Sequence, residues 1–171
     1  MHELAVTAIG TDRPGIVAAV TRVLHERGGN LEDSAMTILG GQFAIVLLVS
    51  TDDRPDALET ALAEATAPLG LAVSVTRAEG AGRDSEATHL LSVYGADKPG
   101  IVAGVTGALA EVGANVVDLE TQLIGGPEHP VYAMLIELAT DDVDTARDAV
   151  AAACEALGVD HTLRTIDTEI Y

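Results

Sequence analysis

Basic residues are scarce. Nine lysines and arginines stand against 27 acids in 171 residues, a formal charge of −18. A surface of that sign excludes direct binding to nucleic acid or to an anionic membrane, because both need basic patches. The acids are spread along the chain rather than gathered in a tail, which reads as a solvated surface. Cysteine occurs once, at Cys154. No intramolecular disulfide is possible, and a reducing cytoplasm is expected. No apolar run is long enough to span a bilayer. No N-terminal segment has the charged start and apolar run of a secretion signal. The chain holds no phosphate loop, no dinucleotide fingerprint and no Ser-His-Asp signal. His2, His25, His89, His129 and His161 have no ligand-like spacing, so neither metal nor cofactor is expected.

What is present is a duplication. Gly10-Thr-Asp-Arg-Pro-Gly-Ile-Val-Ala18 returns as Gly95-Ala-Asp-Lys-Pro-Gly-Ile-Val-Ala103, a constant offset of 85 positions. The offset holds through Thr21 and Thr106, Gly28 and Gly113, Asn30 and Asn115, Asp33 and Asp118. A match sustained that long marks an internal repeat. It divides the chain into two small domains, 1–77 and 88–171, joined by a small and polar linker over 78–87. Each half buries a modest core and gains from packing on another copy.

Each repeated motif joins a strand to a helix. Leu4 to Ile9 and His89 to Tyr94 precede the turns. Ile16, Val17, Val20, Val23 and Leu24 then recur at helical spacing, as do Ile101, Val102, Val105, Leu109 and Val112. Pro14 and Pro99 suit the first turn of a helix. Asp12 and Asp97 suit its N-cap. Gly10, Gly15, Gly95 and Gly100 let another backbone or a ligand come close. Open amides at a helix start form a seat for a carboxylate, though the same residues also serve simply to begin a helix.

The rest of each half completes one order. In the first, Pro14 to Glu26 reads as a helix stopped by Gly28-Gly29, and Asn30 to Leu39 as an alternating strand. Gly40-Gly41 is a hairpin signal. Gln42 to Ser50 is apolar on both faces and so central in its sheet. Pro55 to Pro68 is a second helix and Leu71 to Thr76 the last strand. The second half repeats this: a helix from Pro99 to Val112, strands over 115–124 and 131–140 around a longer loop at 125–130, a helix over 143–157 and a strand over 159–166. Strand, helix, strand, strand, helix, strand, with right-handed crossovers, is the ferredoxin-like α+β arrangement: an antiparallel four-stranded sheet with both helices on one face. Cys154 shares a helical face with Val150 and Leu157 and reads as a small buried apolar residue. Asp52-Asp53 and Asp141-Asp142 precede second helices, where carboxylates complement the helix dipole.

The D-R/K-P-G-I-V turns, the Gly28-Gly29-Asn30 and Gly113-Ala114-Asn115 helix exits and the βαββαβ order together resemble the ACT domain family of small-molecule regulatory modules. The resemblance covers nearly the whole chain. Asn30-Leu-Glu-Asp-Ser34 with Ile38-Leu-Gly-Gly-Gln-Phe43 is similar to the first repeat of the glycine cleavage system transcriptional repressor family. The resemblance implies an amino-acid site where the turn after strand one faces strand two of a neighbouring domain. Carried over by position, its residues are Gly10, Asp12, Pro14, Gly15 and Asn30, and again Gly95, Asp97, Pro99, Gly100 and Asn115. Asp12 and Asp97 stand where some ligand-binding members carry asparagine. The helix-start amides would take the ligand carboxylate, and an asparagine carbonyl or aspartate the ammonium. Glycine or serine is the first candidate ligand.

Asn30 and Asn115 also fit a plainer role, as helix-exit residues tolerating positive φ. Two functions stay open: a non-enzymatic amino-acid sensor acting through a protein partner, and an interaction module with no small ligand. Strand two lies at a sheet edge in this topology, and its unmet N–H and C=O groups invite pairing, either between the two halves or between two chains; a homodimer is expected.

Overall fold

The computed structural model describes residues 1–78, 86–126, 128 and 130–166. The chain divides into two compact units, Met1–Gly82 and Arg83–Tyr171. Most of the expected linker, 79–85, lies outside the described residues, as do positions 127 and 129 of the longer hairpin loop and the tail over 167–171.

The first unit runs β1 (His2–Thr11), α1 (Ile16–Glu26), β2 (Asn30–Leu39), β3 (Gln42–Thr51), α2 (Pro55–Thr66) and β4 (Ala72–Arg77). Its sheet has the order β2-β3-β1-β4, with every neighbouring pair antiparallel. Burial alternates along β1 and β3. Leu4, Val6, Ala8, Phe43, Ile45, Leu47 and Val49 point to one face and are sealed there by Ile16, Val20 and Leu24 of α1 and Leu58 and Leu62 of α2. Burying each such side chain contributes about 1.5–3 kcal/mol. Both helices thus lie on one face, and β3 is central as its two-sided apolar pattern requires. The hairpin between β2 and β3 turns on Gly40 and Gly41, with φ of 58° and 77°. Two successive positive values match the right-handed twist of the strands.

The second unit runs β5 (His89–Gly95), α3 (Ile101–Glu111), β6 (Asn115–Ile124), β7 (Val131–Ala139), α4 (Val143–Leu157) and β8 (Asp160–Thr165). Its sheet order is β6-β7-β5-β8. Leu91, Val93, Met134, Ile136 and Leu138 form the floor of a separate core under Ile101, Val105 and Leu109 of α3 and Val150 and Cys154 of α4. Cys154 is fully buried, and burial pushes its thiol pKa up.

Three local expectations are corrected. Pro14 and Pro99 are not in the first turn of their helices, which begin two residues later at Ile16 and Ile101. Asp12 and Asp97 do not cap them. The N-caps are Gly15 and Gly100, at φ 95° and 94°, and no side chain bonds the helix start. A Pro-Gly pair followed by such a φ is the centre of a type II turn, proline setting the second position and glycine supplying the third. That turn keeps the aspartates too far upstream to reach the helix amides. Finally, neither asparagine is a left-handed helix exit. Among the described residues every positive φ belongs to glycine. Gly28 and Gly113 make the exits, each in a pair of closing bonds: Gly28 N to His25 O at 3.0 Å and Gly29 N to Leu24 O at 2.8 Å, then Gly113 N to Ala110 O at 3.1 Å and Ala114 N to Leu109 O at 3.0 Å. Asn30 and Asn115 open β2 and β6 in extended backbone.

Candidate functional site

The turn after β1 is a short exposed segment tied at both ends. The Asp12 amide donates to Gly41 O of the hairpin at 2.9 Å, and Gly15 O accepts the first bond of α1, from Ala19, at 2.9 Å. The amides of Ile16, Val17 and Ala18 come before that first bond, so they have no acceptor within the helix. The second unit repeats this, with Gly104 N bonding Gly100 O at 2.8 Å. Gly15 and Gly100 have open space where a side chain would stand. Gly10 and Gly95 do not: a Cβ there would meet Leu71 Cδ2 and Val159 Cγ1, each at 2.7 Å. The close approach that these two glycines permit is made at least in part by the residues that lead into β4 and β8, and Gly95 also lines a cavity with Asp97 and Asp160. Arg13 and Lys98, between the aspartate and the proline, add an exposed cation to each turn.

Asn30 lies at the other end of the sheet. The register pairs Asn30 with Ser50 and His2 with Thr51, whereas Thr11 pairs with Gln42. Turn and asparagine are therefore separated by nearly the length of β1, about 30 Å for a ten-residue strand. Gly95 pairs with Tyr132 and Asn115 with Ala139, so the second unit has the same separation. Gly10, Asp12, Pro14 and Gly15 are brought together, as are Gly95, Asp97, Pro99 and Gly100. Neither asparagine joins its own turn. A sequence motif cannot show this, because a helix returns the chain to the starting end before β2 begins.

The two edge strands are open. All ten residues of β2 and nine of the ten in β6 are exposed, on both faces. Apolar side chains are among them, with Met36 and Ile38 about half exposed and Leu123 at 61%. The opposite edge of the first sheet is partly closed, since Glu59 of α2 accepts from Val75 N at 2.7 Å.

Acidic groups also gather at the asparagine ends, apart from the residues that the sequence singled out. In the first unit Glu32 accepts from both Ser50 and Asn30, which holds its carboxyl below the ordinary range. Arg27 pairs with Asp53, and that hydrogen bond lowers the Asp53 pKa and raises that of Arg27. Asp52 takes the Met1 ammonium at 2.6 Å. In the second unit Asp142 instead caps α4, accepting from Thr145 N at 3.0 Å and Thr145 Oγ1 at 2.7 Å. The signal for these was available as pairs of acids before each second helix, but nothing in the sequence says which acid meets which partner. Among the described residues no group of three or more His, Cys, Asp or Glu is gathered to hold a metal, and no helix is long and apolar enough to cross a membrane.

The family described as the ACT domain matches residues 2–76 and again 88–164. The chain is similar to the glycine cleavage system transcriptional repressor of Escherichia coli (strain K12), 26% identical over 97% of this chain and 91% of that one. It is also similar to a solved structure of an unknown protein from Galdieria sulphuraria, with 32% identity, a TM-score of 0.82, and 96% and 98% of the two chains covered. A solved structure described as a candidate glycine cleavage system transcriptional repressor matches with 26% identity, a TM-score of 0.66, and 96% and 97% coverage.

Proposed function

The chain belongs to the ACT domain family, and from that premise we propose that it is a non-enzymatic regulatory protein of the cytoplasm that binds a small free amino acid and acts through a protein partner. The observation that carries this is the same in both halves. An exposed turn offers open helix-start amides at one end of the sheet, and an uncovered edge strand offers an asparagine at the other. A second domain lying antiparallel along that edge brings the asparagine of one to the turn of the other. Such a neighbour supplies what a zwitterion needs: amides for the carboxylate and oxygen acceptors for the ammonium. Similarity to the glycine cleavage repressor makes glycine, then serine, the first ligands to test, and points to control of glycine or one-carbon metabolism. The charge of −18 directs any transcriptional effect through another protein rather than onto DNA.

A second function is favoured by one feature, the exposure of apolar residues on both faces of β2 and β6. Those edges suit protein pairing without any small ligand. Calorimetry of the full chain against the common amino acids separates the two. The sensor binds at least one of them below millimolar, and the same ligand raises the melting temperature. If none binds and none stabilises, the interaction module stands instead.

A further inference from the structure

Each sheet turns one face to its helices and the other away from them. In the first unit Val6, Ala8, Ile45 and Leu47 point to the helices, so the residues between them point away. The ladder arranges this second face in rows across four strands. Ala35 is opposite Val46, Val46 opposite Thr7, and Thr7 opposite Ser74. From that row to the hairpin end, no strand residue of this face is charged among the described residues. In the chain as a whole 21% of residues are charged. Several residues of the face are apolar and open, with Ile9 55%, Val46 47% and Leu39 78% exposed. Two acids, Glu3 and Asp33, share the face at its other end.

The repeat supplies its own contrast. Where the first sheet has Ala35, Leu48 and Ala72, the matching ladder positions of the second have Glu120, Glu137 and Asp160. Thr76 gives way to Arg164. One backbone plan thus carries added charge in one half and a neutral field in the other. Neutrality is what a surface needs to meet its own copy. Two chains of charge −18 repel each other. A twofold contact also sets one patch against its like, so acids in it crowd acids. A partner of different sequence is free to pair charges across a contact, and this field offers it none. The size is sufficient as well. Strands about 4.8 Å apart with a rise of about 3.3 Å per residue give a face of about 500 Å². Two such faces bury about 1,000 Å², the least that a specific interface needs.

We propose that the helix-free face of the first sheet is a self-association surface, and that it takes the same face of a second copy of this chain. The two sheets stack with their apolar side chains interleaved, as in a sandwich. Ile9 and Val46 stand on the two inner strands, β1 and β3, and form its centre. This contact is separate from strand pairing at the β2 edge. Pairing lengthens a sheet through backbone bonds, whereas stacking uses side chains of the inner strands.

The test is sedimentation equilibrium of the full chain across concentration and salt. Four proteins are compared: the natural chain, Val46→Lys, Ile9→Lys, and Leu135→Lys, which stands at the place of Val46 in the second sheet and is 37% exposed. Circular dichroism checks that each is folded, and either of the first two variants suffices if the other does not fold. Neither touches the β2 edge. Each lysine lowers the net negative charge, so a loss of association cannot come from overall repulsion. The natural chain is expected to self-associate, more strongly as salt screens its charge. Val46→Lys and Ile9→Lys each weaken the association constant about tenfold or more, since the contact buries an unpaired ammonium. Leu135→Lys changes it by less than about twofold. A natural chain that is monomeric throughout overturns the proposal. So does an association that the folded first-sheet variants leave intact, that Leu135→Lys weakens equally, or that salt dissolves.

Discussion

The amide of Asp12 donates to the carbonyl of Gly41 at 2.9 Å, so the turn after the first strand is fastened to the hairpin between the second and third. The aspartate contributes there through its backbone. Its side chain is exposed and caps nothing. Asp12→Ala is therefore expected to leave stability within about 0.5 kcal/mol of the natural chain in urea unfolding, as for an ordinary surface substitution. Gly15→Ala at φ 95° is expected to cost about 1–2 kcal/mol in the same assay, all of it local backbone strain, because no other part of the fold lies within 4 Å of the added Cβ. Gly10→Ala costs for a different reason, since its methyl meets Leu71 at 2.7 Å and Gly70 O at 3.1 Å. Overpacking of that kind costs about 1–3 kcal/mol. Equal stability of all three variants would refute this account of the turn.

Asp142 does what Asp12 does not. The amide of Thr145, and then its hydroxyl, hold the Asp142 carboxyl below the ordinary range. A folded pKa below the unfolded one gives stability that is complete above the unfolded value, about 3.9, and is lost as the pH falls through the folded value. Asp142→Ala should therefore lower the melting temperature at neutral pH. The gap to the natural chain should close as the pH falls into the acid range. A gap that is constant across pH would show that the cap is not the source.

The open edge of β2 predicts self-association. Ala35 is in the middle of that strand, opposite Val46 of β3 and exposed. A lysine there places like charges close together when two β2 edges meet antiparallel, the device that natural edge strands use against pairing. Sedimentation should show a dimer for the natural chain at micromolar concentration and a shift toward monomer for Ala35→Lys. A natural chain that is monomeric throughout excludes edge pairing between chains.

Cys154 is fully buried, with its thiol pKa raised by burial. The thiolate is the reactive form. A thiol reagent at neutral pH should label almost nothing in the folded chain and one thiol per chain in denaturant. Rapid labelling of the folded protein would mean that α4 opens readily or that the thiol is activated.

The purified protein is expected not to shift DNA in a gel at low salt. Nine basic residues against 27 acids leave no surface for phosphate contacts. A shift competed by unlabelled specific DNA would contradict this.

The sequence determined the duplication, the order of elements and most of their bounds. Those follow from local physics: the period of apolar residues, glycine where φ turns positive, proline where a helix cannot run. β2, β6 and α4 have the bounds read from pattern alone, and the central place of β3 followed from its two apolar faces. The beginnings of α1 and α3 were misplaced by two residues because Pro-Gly signals both a helix start and a type II turn, and only the backbone angle at Gly15 separates them. What tertiary structure alone decided is distance and partnership. Asp12 and Asn30 are 18 positions apart in the chain, but each lies at a different end of the sheet, because α1 returns the chain before β2 starts. Asn30 and Asn115 are equivalent by repeat register. They differ because Glu32 and Ser50 meet across two strands, a contact between positions whose pairing depends on a one-residue slip in the ladder. Local propensity carries no information about such a slip, since it is set by how two strands settle against a shared core.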